Sequence, residues 1–376
     1  MVYYLAYSFS VMLQTQQPKA VLYVGTYSVR DSKGIYVFAF DPQNGTVELQ
    51  QTVDKGISPS FLAIHPSGQY LYAVNEEDEQ GEERSGTINA YVIHSQSGEL
   101  TFLNQQLTQG KAPCHVSIDR RGKMAFVSNY GSGSLTVLPI LADGSLGEAC
   151  QIIQHTGHGT DPERQDAPHV HSAVVSIDNR LLYVSDLGTD KIHVYQFDEQ
   201  EGKLSACPTA PYLHVSAGSG PRMIAVHPQD EWLYSLKEMS STIARFRRNR
   251  PTDVIELVDD DVPFLAETYS GERSGGDIHL DASGQHLYVT NRGNNTLAVL
   301  TLGDEGKLTQ RGLHYTGGDE PRNFLIDEPS QHLLIGHQQS DIIAPFKLDT
   351  RRGELKATGN QIAIPAPVCL LMHRWR

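Results

Sequence analysis

The sequence predicts an all-β chain closed into a seven-bladed β-propeller with four-stranded blades, and three observations carry that expectation. One apolar strand pattern recurs seven times: VLYVGTY (21–27), YLYAVNE (70–76), MAFVSNY (124–130), LLYVSDL (181–187), WLYSLKE (232–238), HLYVTNR (286–292) and HLLIGHQ (332–338). Successive copies stand 46 to 57 residues apart, the span of one four-stranded blade. No segment with helical periodicity interrupts them.

The elements of each unit come in a fixed order. A second amphipathic run comes after the recurrent strand, from GIYVFAFD in the first unit to DIIAPFKLD in the last. In six units a turn and a short strand come next, as in NGTVELQ, SGELTFL, DGSLGEA, EGKLSAC, EGKLTQR and RGELKAT. Ahead of the recurrent strand lies an inner segment, clear in PSFLAIHPSGQ (59–69), PCHVSIDRRGK (113–123), PRMIAVHPQDE (221–231) and PRNFLIDEPSQ (321–331). The first unit lacks it, and the chain closes on PAPVCLLMH, which has its pattern. The last strand is therefore expected to complete the first blade, leaving no exposed sheet edge. Residues 20–376 are read as one domain and residues 1–19 as a disordered or loosely packed leader.

Composition narrows the function. The 376 residues are 39% apolar with 33 Gly and 17 Tyr, as in a turn-rich globular β protein. A formal net charge of −14 repels polyanions, so neither nucleic acid nor an anionic membrane is an expected partner. An anionic ligand would need a local arginine cluster. Cys114, Cys150, Cys207 and Cys369 are far apart, with no C-x-x-C pair. They indicate neither a zinc site nor a disulfide framework, and point to a reducing cytoplasm. The N-terminus has no basic n-region and no A-x-A site, which leaves periplasmic export the lesser alternative. The oligomeric state stays open between monomer and weak dimer.

Aligned repeats act as an internal control, because a slot that is bland in most blades does not need a charge for folding. After the inner-strand proline, Ser60 and Cys114 alternate with Arg222 and Arg322. The next slot holds Phe61 and His115. Deeper, Ala63, Ser117, Ser176 and Ala225 are small where one copy has His279. At the end of the second strand, Glu76 and Tyr130 correspond to Glu238, Arg292 and Gln338. Ring closure is expected to gather these positions at one end of the central channel. The stretch ERQDAPHVHS (163–172) precedes the inner segment SAVVSID, so it reads as an entry loop carrying Arg164, Gln165, His169 and His171 to that mouth. Three arginines facing one cavity repel one another unless an anion is shared, and their planar forks suit carboxylate and phosphate alike.

The runs ERQ…PHVHS, GPRMIAVHP followed by LKE, GGDIHLDASGQHLYVTNR and EPRNFLID resemble the seven-bladed propeller lactonase family, which includes bacterial 6-phosphogluconolactonases and fungal carboxymuconate-lactonising enzymes. The resemblance runs from about residue 20 to the C-terminus. It implies hydrolysis of an anionic sugar lactone with neither metal nor organic cofactor. It implies roles for His171, Glu238 and Arg222 in catalysis and for Arg292 at the channel mouth. Arg322, His115, Tyr130, Arg164, Gln165, His169 and His279 are the further candidate substrate contacts.

Other readings stand beside this one. Glu238 could be only the counter-charge of the arginines, and His171 a satisfied loop histidine. His169 and His171 facing Asp277 and His279 could hold a metal. Cys114 beside His115 suggests a thiol pair, but adjacent strand residues point to opposite faces. A lactonising isomerase would use the same groups, and a non-catalytic propeller would bind partners on its broad face.

Overall fold

Alternating apolar, β-branched and aromatic positions between Gly and Asn turns form strands. In the computed structural model, which describes residues 20–77 and 85–375, those strands pair into seven antiparallel sheets. The leader expected over residues 1–19 lies outside the described residues. Blade 5 shows the plan: Pro221–Val226, Trp232–Lys237, Thr242–Asn249 and Val254–Pro263 lie side by side from the axis outward. The innermost strand of each blade touches that of the next, around to the contact between Pro367–Arg374 and Phe61–Ile64. Pro367–Arg374 pairs with Ala20–Thr26 from Ala20↔Arg374 to Gly25↔Cys369, so the two ends of the chain share the first blade. The chain is a seven-bladed β-propeller. No helix among the described residues is long and apolar enough to cross a membrane.

Two outer strands differ from expectation. In blade 3 the fourth strand is Gln151–Gln154, whereas DGSLGEA contributes only a bridge between Ile140 and Leu146. In blade 5 the sequence pattern shows no fourth strand, and Val254–Pro263 supplies one of ten residues. Outer strands bury little, so their sequences carry a weak periodic signal.

Neighbouring blades stack through the recurrent strands. Tyr23, Tyr72 and Tyr234 bury their rings and donate their hydroxyls to the carbonyls of Gly98, Gly144 and Gly306, in turns of the next blade. Gly306 has φ +68°, and a Cβ there would stand 2.6 Å from the Trp232 ring. The close approach therefore requires glycine.

One backbone feature builds the site. Six inner strands shift register near their start, at 113/115, 170/172, 221/223, 275/278, 321/323 and, in the closing blade, opposite 25/26. An extra residue in a bulge leaves the in–out alternation and is re-aimed. Here it faces the axis: Cys114, His171, Arg222, Gly276, Arg322 and Val368 line one central compartment, with Ser60 at the matching place in blade 2. His171 thus lies on the inner strand Val170–Val175 rather than on an entry loop. The bulge register also corrects the deeper slot, where Val174, opposite Tyr183, takes the place assigned to Ser176.

Candidate active site

The ring of bulged residues separates two spaces. Below it lies a compartment of about 20 Å³ that Asp277 and Asn323 also line, enough for roughly one water. Above it opens a mouth of about 300 Å³. Strand-end residues Glu76, Tyr130, Glu238 and Arg292 line the mouth, with Arg164 leaning in from its loop. Four guanidiniums, of Arg164, Arg222, Arg292 and Arg322, face the carboxylates of Glu76, Glu238 and Glu320 there. The pocket is locally cationic on a chain of net charge −14, which favours an anionic ligand.

Glu238 is the hub. Its Oε2 accepts from Arg222 Nη1 at 2.7 Å and lies 3.0 Å from Arg292 Nη2, while its Oε1 accepts from Arg164 Nη2 at 2.6 Å. Burial pushes the carboxyl pKa up, but Arg292, Arg222 and Arg164 outweigh it and hold the pKa well below the usual range. Arg222 is held in turn, its Nε donating to Gly276 O at 2.6 Å. A Cβ at Gly276 would lie 2.6 Å from both Pro321 O and Thr290 Oγ1, so the slot beside Arg222 must stay empty of side chain.

His171 Nε2 accepts from Arg222 Nη1 in a close contact and lies 4.0 Å from Glu238 Oε2. Because a guanidinium only donates, the proton of neutral His171 sits on Nδ1, facing Cys114 Sγ at 4.0 Å. Burial first, and the Arg222 charge second, hold its pKa well below the usual value and keep it neutral.

Arg322 differs from the other arginines. Its guanidinium lies 5.1 Å above the Tyr27 ring and, among the described residues, makes neither a hydrogen bond nor an ion pair. Tyr27 is fixed by Glu76, whose carboxylate accepts its hydroxyl at 3.1 Å. Glu76 lies where its strand-end slot places it, at this end of the channel, though the sequence assigns it no role. Tyr27 is the residue missed: it fills the same slot in the first blade, and carrying that slot through every blade finds it.

The loop residues divide. Arg164 reaches Glu238, and Tyr130 lines the mouth beside it. His169 does not line the mouth; it stacks on Tyr130 with centroids 4.5 Å apart and donates from Nδ1 to Tyr130 O at 3.0 Å. Gln165, expected at the mouth, does not line it: the residue is buried and its amide is spent on four groups of the protein. Its Nε2 donates to Leu187 O and Asp190 Oδ1, both at 2.8 Å, and its Oε1 accepts from Thr160 N and Asp161 N. Asp190 also accepts from Ser219 N and Gly220 N, joining the Arg164 loop to the segment that leads into Arg222.

Two further expectations change. His115 is buried against Phe61, ring centroids 4.3 Å apart, and lines neither space. Burial lowers its pKa to about 3. His279 donates from Nε2 to Asp277 Oδ2 at 2.8 Å and lines neither space. The four residues weighed as a metal site therefore do not converge. The one His/Asp trio that gathers among the described residues is His155, Asp186 and His193. The two imidazoles there stack 3.8 Å apart at 29°, and His155 spends both ring nitrogens, one on Asp186 Oδ2 at 2.9 Å and one on the Tyr195 hydroxyl at 3.0 Å. Asp186 Oδ1 accepts from His169 N at 2.8 Å, so the trio pins the loop. Cys114 faces the cavity, but burial raises its thiol pKa and keeps it protonated.

Residues 21–372 match the family described as lactonase, 7-bladed beta-propeller. The chain is 32% identical over 359 residues to a 6-phosphogluconolactonase of Bacillus subtilis, covering 94% of this chain and 98% of that one. It is 31% identical to a 6-phosphogluconolactonase of Formosa agariphila, covering 94% and 99%. Among solved structures, the periplasmic gluconolactonase PpgL of Pseudomonas aeruginosa superposes with a TM-score of 0.87 at 29% identity, covering 94% and 99%.

Proposed function

The chain belongs to the seven-bladed β-propeller lactonase family, and from that membership and the mouth geometry we propose that it hydrolyses an anionic sugar lactone, 6-phosphogluconolactone, to the open hydroxy acid. The observation that carries the anionic handle is Arg322, a guanidinium facing the mouth with no ion-pair partner among the described residues. Such a fork takes phosphate or carboxylate oxygens directly. The compartment and pathway we assign are the cytoplasm and carbohydrate metabolism, by the pentose phosphate route, and the free state of all four cysteines fits a reducing environment.

In the proposed reaction Glu238 accepts a proton as water attacks the lactone carbonyl. The new C–O bond pushes the carbonyl electron pair onto oxygen, and Arg222, fixed by Gly276 and Glu238, steadies that oxyanion. Collapse breaks the ring C–O bond, and the departing ring oxygen takes the proton back from Glu238. His171 holds Arg222 from the side through Nε2. Arg322 and Arg292 hold the distant anionic group.

The test is hydrolysis of freshly made 6-phosphogluconolactone by micromolar protein, with the spontaneous rate subtracted. A rate no higher than background ends this reading.

A further inference from the structure

Glu238 poses a chemical difficulty for the proposed reaction. Three guanidiniums occupy its two oxygens at 2.6, 2.7 and 3.0 Å. A carboxylate so clamped is a feeble base, because accepting a proton would break three charge-assisted contacts. The contacts are not equivalent. Arg222 is also tied to Gly276 and His171. Arg292 makes the longest of the three contacts, and its Nε is buried with no hydrogen-bond partner. Arg292 shares the mouth with Arg322, which is itself unpaired among the described residues. Two arginines with spare donors thus stand beside the clamp, one of them part of it.

We propose that the anionic group of the substrate is the activator of Glu238 as well as a handle: settling between Arg322 and Arg292, it draws Arg292 off the carboxylate and restores its capacity to take a proton from water. This rests on the lactonase reading above. The anion neutralises Arg292 and supplies the acceptor that its Nε lacks, so the clamp loosens only when a charged substrate is in place. Binding energy from a group remote from the reacting carbonyl is converted into rate rather than affinity alone. The device selects charged over neutral lactones in kcat, a discrimination that a simple anion handle, acting through KM, does not produce.

The experiment compares 6-phosphogluconolactone with glucono-δ-lactone, which lacks the phosphate, and repeats the second with added inorganic phosphate. We expect kcat for the neutral lactone to be at least ~30-fold lower, and phosphate to raise it at least ~5-fold with saturation. Arg322→Ala should abolish the phosphate response. The phosphate response in the unaltered protein decides the matter without relying on the variant. Equal kcat values for the two lactones, or phosphate acting only as a competitive inhibitor, overturn the activation while leaving the lactonase intact. Turnover of neither lactone removes both readings.

Discussion

Arg222 Nη1 and Glu238 Oε2 lie 2.7 Å apart, sixteen residues apart in sequence, because a bulge at the start of one strand and the end of the next strand of the same blade face one another. Arg292, one blade on, completes the pair at 3.0 Å from the same oxygen. The strand-end slot that Glu238 occupies holds Glu76, Tyr130, Arg292 and Gln338 in other blades, so the fold tolerates varied side chains there. Glu238→Gln should leave the propeller folded and lower the lactonase rate by roughly two to four orders of magnitude. Affinity for 6-phosphogluconate should hold or tighten, since the arginines lose their counter-charge. An unchanged rate in folded protein would leave Glu238 as counter-charge and His171 as the base.

Arg322 makes no structural hydrogen bond among the described residues, so removing it should cost little stability. Arg322→Ala is expected to melt within about 2 °C of the unaltered protein while binding 6-phosphogluconate roughly 10- to 100-fold more weakly, the worth of a lost charge-assisted contact. Calorimetric titration and a thermal scan read both. Undiminished affinity would move the anion site elsewhere.

Gln165, expected at the mouth, instead fastens the Arg164 loop to Asp190. Gln165→Ala leaves buried donors and acceptors unpaired, at about 1–3 kcal/mol. It should lower the melting temperature and loosen Arg164. Normal stability with selective loss of substrate affinity would return Gln165 to the binding site.

Cys114 lines the mouth with its thiol held protonated by burial. Cys114→Ala should keep activity within about threefold, and iodoacetamide should not inactivate the native protein. A loss of several orders of magnitude would make the thiol a participant.

On blade 5, Arg248 Nη2 donates to Asp178 Oδ2 at 3.0 Å and also pairs with Asp230 and Asp253. Burial pushes the Asp178 carboxyl up, but Arg248, the Ser176 hydroxyl and Arg180 N outweigh it and hold its pKa at about 2. A folded-state pKa below the unfolded value of about 3.9 gives stability that is full above that value and is lost as pH falls toward 2. Arg248→Met should therefore be strongly destabilised at pH 6, with the gap in melting temperature narrowing between pH 4 and pH 2. A gap independent of pH would show that the pairing does not act through Asp178 ionisation.

The seven recurrent strands, their spacing and the sharing of one blade by both chain ends are legible in the residues alone. Those are properties of period-two burial and of edge closure, which repeat in every blade and so can be read by self-comparison. The sequence also marked Arg222, Glu238, Arg292 and Arg322 as departures from their slots. Which way those departures point depends on the folded ring. The bulges put His171 on the same ring as Arg222 and Cys114, placed Val174 rather than Ser176 in the channel, and turned His115 away from the mouth. One extra residue in a strand reverses the facing of every side chain beyond it, and nothing in local composition announces it. Gln165 fell to the same limit: a buried amide and a ligand-binding amide look alike in sequence, and only its four partners, two of them backbone amides, distinguish them.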